Sequence, residues 1–216
     1  VSQNILSEIN IMKNLKHPSI LNFIGYSPVN FDKNPNPTII IEYASNGSLQ
    51  TIIDKNASIN GWNDTKRLIT IFGMAYLHDQ SILHNDLKPS NILLDDNFYP
   101  KIADFGLSQK KQNAKEGSNY NTMHIKGTPS YIAPEIIEKQ NYSEASDMYS
   151  FGILLYEIVN LKNAFYGMKP PDIYYDVSKN KRPSLLFSKS GVFKSLIQKC
   201  WAQDPKSRPS FREIYE

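Results

Sequence analysis

The run His84-Asn85-Asp86-Leu87-Lys88-Pro89-Ser90-Asn91 and the later Asp104-Phe105-Gly106 hold the side chains best placed to do chemistry. Asp86 and Asn91 share one polar stretch, and Asp104 closes the next apolar one. Carboxylate and amide oxygens of this kind suit a hard divalent cation. Magnesium keeps few protein ligands and fills its shell with water and substrate phosphate, so Asn91 and Asp104 suffice as donors. Asp86 is then free to orient a hydroxyl. Other metal chemistry is poorly served, because Cys200 is the only cysteine and the histidines at 17, 78, 84 and 124 show no paired ligand spacing.

The elements that must position these residues are readable from periodicity. Ile92-Leu93-Leu94 and Lys101-Ile102-Ala103, separated by Asp-Asp-Asn at 95–97, predict a small hairpin that carries Asn91 at one end and Asp104 at the other. Upstream, Ile5, Ile9, Met12 and Leu15 predict an amphipathic helix over 4–16, which His17-Pro18 must end. Ile20–Tyr26 and Thr38–Tyr43 read as two strands joined by a loop through Asn-Pro-Asn-Pro at 34–37. Leu68, Ile71, Phe72, Ala75 and Tyr76 predict one helix over 62–78, weakened at its centre by Gly73. Met148–Val159 is apolar nearly all round, as a buried central helix would be, and Val192–Trp201 marks a further helix. Helix, two strands and a largely helical remainder make the fold class α+β.

Composition narrows the classes. With 40% hydrophobic and 21% charged residues over 216 positions, a soluble globular unit with a proper core follows, and fibrous or disordered readings fall away. A net charge of +3 is too small to argue for nucleic acid or an anionic membrane surface. No run of eighteen apolar residues and no signal sequence is present, which fits a cytoplasmic protein, with tethering to a membrane through flanking regions left open. The chain starts at Val1 rather than Met, so it is expected to begin partway through a larger structure.

With Ala133-Pro134-Glu135 downstream, the ordered set resembles a eukaryotic protein kinase, whose motifs are H-R-D-x-x-x-x-N, D-F-G and A-P-E. The resemblance runs from Val1 to Glu216. Gly47-Ser48-Leu49 and Cys200-Trp201 resemble the tyrosine-kinase-like group of serine/threonine kinases, and Lys88 with Thr128 follows the serine/threonine pattern. The resemblance implies a kinase-like fold with residues 1–43 as part of the N-lobe and 44–216 as the mainly helical C-lobe. It implies ATP and Mg2+ as cofactors and protein Ser/Thr hydroxyls as acceptors. Asp86 would accept or orient the acceptor proton, Lys88 would offset phosphoryl charge, and Asn91 and Asp104 would bind magnesium. Glu42, Tyr43 and Ala44 would form the adenine-facing hinge behind a gatekeeper Ile41. Asp147 would anchor the catalytic loop backbone, and Arg208 would pair with Glu135. His84 would pack against Phe105, Met12 and Phe23, with Gly106 completing the motif.

The sequence departs from the family at several places. Glu8 resembles the glutamate that pairs with a lysine on the third strand, yet no lysine precedes it, and no G-x-G-x-x-G can be written anywhere. The strand at 38–43 is therefore expected to have an unpaired edge and the chain poor solubility. Asn85 replaces the arginine that meets an activation-loop phosphate, so switching at Ser118, Tyr120, Thr122 or Thr128 would need another cation such as Lys110 or Lys126. The 71–76 stretch is shorter than the family's by about one helical turn, roughly 3.6 residues. These departures motivate a second reading, a catalytically impaired pseudokinase or fragment acting as a protein-binding module. Singly, each motif also has a plainer explanation: Asp104-Phe105-Gly106 a strand-ending turn, His84 a packed core residue, Cys200 and Trp201 core. Asp86, Lys88, Asn91 and Asp104 escape it only because they occur together and in order.

Overall fold

A computed structural model of the chain describes residues 3–35, 37–55, 63–111, 125–185 and 191–216. Trp62 and the candidate phosphosites Ser118, Tyr120 and Thr122 lie outside the described residues. The first helix, α1 (Gln3–Met12), buries Met12 and the neighbouring Ile11, with Leu15 just beyond it. It stops short of the proline expected to end it. Asn14 N and Leu15 N bond three residues back rather than four, tightening the last turn, and Asn14 Nδ2 donates to the Asn10 carbonyl.

Strands β1 (Phe23–Ser27) and β2 (Thr38–Ile41) form an antiparallel pair in the register Phe23 to Ile41 and Ser27 to Thr38, with a bulge at Ile24, between Phe23 and Gly25. No third strand joins them among the described residues, and Ile24, Ile40 and Ile41 are exposed. Ile20, read as part of the first strand, instead bridges Ile102 and so fastens this ribbon to the hairpin below.

After α2 (Leu49–Asp54), the helix expected over 62–78 is two, α3 (Asp64–Leu68) and α4 (Thr70–Asp79), which meet at Ile69. There the ladder changes to three-residue spacing, Ile69 N to Lys66 O and Phe72 N to Ile69 O. Gly73 reads in the sequence as a weakness, but it is a requirement of packing. A Cβ there would lie 2.7 Å from Ile102 Cδ1 and 3.0 Å from the Ser19 carbonyl.

A short strand β3 (Ile82–Leu83) leads into the polar loop, whose end is a 3₁₀ turn, Pro89–Asn91. The expected hairpin follows as β4 (Ile92–Leu94) and β5 (Pro100–Ile102), with Asp95 Oδ1 accepting from Asn97 N and Tyr99 N to hold its turn. Then β6 (Gln109–Lys110) pairs with β3, a contact that periodicity did not predict.

Beyond these lie α5 (Pro134–Lys139), α6 (Glu144–Asn160), α7 (Pro170–Ser178), α8 (Gly191–Cys200) and α9 (Phe211–Tyr215). A capping box between Ser143 and Ser146 starts α6, and its residues from Ser146 to Ile158 are all buried. This helix is the axis of the core, with α8 packed on it through Phe193, Ile197 and Cys200. Val192, the first of the apolar residues that mark α8 in the sequence, is 78% exposed. Among the described residues no helix is long and apolar enough to cross a membrane.

Candidate active site

Asp147, on the first turn of α6, organises the loop from His84 to Asn91. Its carboxylate accepts from the backbone N–H groups of His84 and Asn85, each at 2.9 Å, and contacts His78 Nε2 at 3.0 Å. Two consecutive main-chain donors on one buried carboxylate fix the loop against the helix, and Asn85 takes a positive φ of 64° that asparagine tolerates. Asn85 Nδ2 then donates to the Leu107 carbonyl at 3.0 Å, and Ser108 Oγ to the His84 carbonyl at 3.1 Å. The loop is thereby joined to the segment after Asp104-Phe105-Gly106.

His84 is completely buried. Its Nδ1 accepts from Asp86 N at 3.3 Å and its Nε2 faces the Ala103 carbonyl at 3.1 Å, which assigns the proton to Nε2. Burial pushes its pKa down, outweighing the nearby Asp147, so the ring is a neutral spacer. It packs against Phe105 with ring centroids 5.5 Å apart. Met12 lies in the same core, and Phe23 packs against that core.

Around Asp86 the polar groups close on one another. Lys88 Nζ lies 2.7 Å from Asp86 Oδ2 and donates to Thr128 Oγ1 at 2.8 Å, while Thr128 Oγ1 donates to Asp86 Oδ1 at 2.8 Å. Thr128 reaches this position because Gly127 has φ of 110°. A Cβ on Gly127 would lie 2.8 Å from Ile132 Cδ1 and 3.2 Å from the Asn85 carbonyl. Asn91 Nδ2 donates to the Asp86 carbonyl at 2.9 Å and to Asp86 Oδ2 at 3.2 Å. Its amide orientation therefore leaves Oδ1 as an acceptor, met among the described residues only by Ser90 Oγ at 3.5 Å.

Asp104, exposed and with φ of 62°, accepts from Gly106 N at 3.2 Å. Glu8 of α1 is half-buried next to it, with its Oε2 beside Gly106. Burial raises the Glu8 pKa, and the Asp104 charge raises it further. Strand β4 and its partner β5 hold Asn91 and Asp104 together, since Ala103 N donates to the Asn91 carbonyl at 2.9 Å. Asn46 N to the Leu94 carbonyl and Leu94 N to the Gly47 carbonyl tie the segment after Ile41, Glu42, Tyr43 and Ala44 to the same hairpin. Glu42 is committed to Asn22 N at 2.9 Å and Lys101 at 3.0 Å, while Tyr43 is 89% exposed.

Glu135 and Arg208 form a buried bidentate pair, at 2.7 and 2.8 Å. Arg208 also donates to the Ala202 and Ala145 carbonyls, and its guanidinium stacks on Tyr149 at 5.1 Å. Three residues of this neighbourhood were not singled out from sequence: His78, Tyr131 and Glu157. Tyr131 Oη donates to Glu157 Oε2 at 2.7 Å in the core beneath Thr128. His78 looks in sequence like the polar end of an amphipathic helix, and only the proximity of Asp147 gives it a role.

The sequence profile of the protein kinase domain matches residues 1–216. The probable serine/threonine-protein kinase drkB of Dictyostelium discoideum is 34% identical over 225 residues, covering 100% of this chain and 31% of the relative. The serine/threonine-protein kinase CTR1 of Arabidopsis thaliana is 34% identical over 218 residues, with 98% and 26% covered. The receptor-interacting serine/threonine-protein kinase 3 of Homo sapiens is 36% identical over 228 residues, with 98% and 43% covered. The chain thus spans less than half the length of each of these relatives. A match across the whole chain, with the three motifs folded around one loop, means that the chain belongs to the protein kinase domain family.

Proposed function

We propose that this chain is the catalytic domain of a serine/threonine protein kinase that transfers the γ-phosphoryl group of ATP to a protein hydroxyl. Residues 1–43 are then part of the N-lobe and 44–216 the C-lobe, acting in the cytoplasm on protein acceptors. The observation that carries the reading is the closed triangle of Asp86, Lys88 and Thr128 next to Asn91 and Asp104.

Asp86, fixed by its neighbours, orients the acceptor hydroxyl and takes its proton as the oxygen attacks. Lys88 reaches toward the same point and offsets negative charge as the phosphoryl group moves. Thr128 bridges the two and sets where an acceptor chain lies. The donor set fits magnesium: Asn91 Oδ1 and the Asp104 carboxylate are oxygen donors, and neither residue is ion-paired among the described residues. Magnesium is ligated largely by water and phosphate, so two protein oxygens serve it. When bound, such an ion would neutralise charge on the nucleotide phosphates. With the Glu42 carboxylate already engaged, adenine recognition falls to the main chain of residues 42–44. An impaired binding module is the weaker reading, since Asp86, Lys88, Asn91 and Asp104 are all present and mutually bonded or adjacent.

The test is phosphate transfer from ATP to a protein acceptor by the wild type and by Asp86→Ala. The variant should lose roughly 10²- to 10⁴-fold in rate, the scale of a positioned general base, while still binding nucleotide. Undiminished transfer would sink the assignment.

A further inference from the structure

Lys126 stands two residues before Thr128, and one hydroxyl holds both of its main-chain groups. Its N–H donates to Tyr142 Oη at 2.8 Å, and Tyr142 Oη donates to its carbonyl at 2.9 Å. Tyr142 is itself fixed on both sides. Before it, α5 ends at Gln140 in the left-handed region, and after it Ser143 opens the capping box of α6. Burial pushes the Tyr142 phenol above its ordinary value, so it stays a neutral hydroxyl able to accept and donate at once. The start of α6 therefore anchors both sides of the site, the catalytic loop through Asp147 and Lys126 through Tyr142.

The neighbours of Lys126 leave its side chain one direction. Ile125 packs against the core, and Gly127 runs close along the catalytic loop, so Lys126 between them is exposed. Its ammonium forms no ion pair among the described residues. Asp86, whose Oδ1 would lie 3.9 Å from a Cβ on Gly127, is already committed to Lys88, Thr128 and Asn91 and does not compensate it. A fixed backbone thus carries an uncompensated cation beside the point where Thr128 meets Asp86.

We propose that Lys126 is a specificity-determining residue on the acceptor side, selecting protein acceptors with an aspartate or glutamate within two residues of the phosphorylated hydroxyl. The inference rests on the kinase reading and names the substrate class for it. The distance follows from chain geometry: an extended acceptor advances about 3.3 Å per residue, so two of its residues cover the stretch from Thr128 to Lys126. The clamp matters because it fixes the backbone from which the ammonium extends, leaving only side-chain freedom to be lost when a carboxylate arrives. An exposed pair of this kind sorts partners by sign, since a lysine in the acceptor at the same place meets a like charge.

The experiment is phosphate transfer from ATP by the full chain to peptides with one serine and with glutamate, alanine or lysine at each of the two positions on either side. In the wild type, kcat/KM for a glutamate peptide should exceed that for the alanine peptide roughly fivefold, the upper end for an exposed ion pair, with the difference in KM. Added salt should shrink the ratio. Lys126→Ala should bring it to about one, Lys126→Glu should move the preference to the lysine peptide at the same position, and Tyr142→Phe should reduce it with the ammonium still present. Equal use of glutamate and alanine peptides by the wild type at every position overturns the proposal, as does a preference that survives unchanged in Lys126→Ala. If no peptide accepts phosphate, the kinase reading falls, and fluorescence anisotropy of the same labelled peptides decides the remainder. Tighter binding of a glutamate peptide that is lost in Lys126→Ala then supports the role of Lys126, and equal binding overturns it.

Discussion

Thr128 Oγ1 donates to Asp86 Oδ1 at 2.8 Å while accepting from Lys88 Nζ at 2.8 Å, so one hydroxyl joins the activation segment to both groups at the reacting centre. Alanine at 128 removes both bonds, whereas serine can restore them. We expect Thr128→Ala to lower kcat/KM for a protein acceptor roughly 10- to 100-fold through misorientation, with Thr128→Ser within a few-fold of wild type. Steady-state kinetics with the acceptor varied at saturating ATP decides it, and equal losses in both variants would remove the hydroxyl from the argument.

Asp104 bears on the nucleotide rather than the acceptor. Its carboxylate is exposed and bonded only to Gly106 N among the described residues. Asp104→Ala should abolish the magnesium-dependent part of the thermal shift given by ATP, which for wild type at a hundredfold excess over Kd amounts to about 2.7 kcal/mol. Calorimetric titration of ATP with and without magnesium gives the same comparison directly.

The Glu135–Arg208 pair is a matter of stability. The Arg208 side chain has 0% exposure and the Glu135 side chain 9%, so removing either leaves a buried charge without its partner. Arg208→Ala should cost about 3–5 kcal/mol in chemical denaturation, and Arg208→Lys much of the same, since one ammonium cannot replace a bidentate fork.

Glu157 makes the stability of the fold depend on pH. Its folded-state pKa of about 7 stands above the ordinary value of 4.5, so the folded chain holds this proton more tightly than the unfolded one. That stabilisation is full below the unfolded pKa and is lost as pH rises through about 7, a change of about 3 kcal/mol. Melting temperatures at pH 5 and pH 8 should therefore show a loss in wild type that shrinks in Glu157→Gln.

What the sequence made legible was local. Asp86, Lys88 and Asn91 share one loop, and the hairpin of Ile92–Leu94 with Pro100–Ile102 carries Asp104 back to them, so spacing along the chain already implied spacing in space. The Asp147 anchor and the Glu135–Arg208 pair, by contrast, came through resemblance, because contacts across 62 or 73 residues leave no periodic trace. Tyr131 and Glu157 were illegible for the same reason, their contact spanning 26 residues. The break at Ile69 and the strand pair β3–β6 escaped because a single changed hydrogen bond, or two residues of pairing, lies below what hydrophobic periodicity resolves. Gly73 was misread because propensity weighs the helix alone, whereas Ile102 and Ser19 decide what fits beside it.

The amide of Asn85 has one more consequence. Because it meets the Leu107 carbonyl as one neutral group meets another, the fastening of the catalytic loop to the segment after Gly106 carries no net charge on either side. Dissolved ions screen an arginine–phosphate contact at an exposed surface, but they have little purchase on an amide–carbonyl bond. This joint should hold its geometry from dilute buffer to molar salt, and the ionic-strength dependence of catalysis should then report on the charged contacts to nucleotide, magnesium and acceptor rather than on the loop's own fastening.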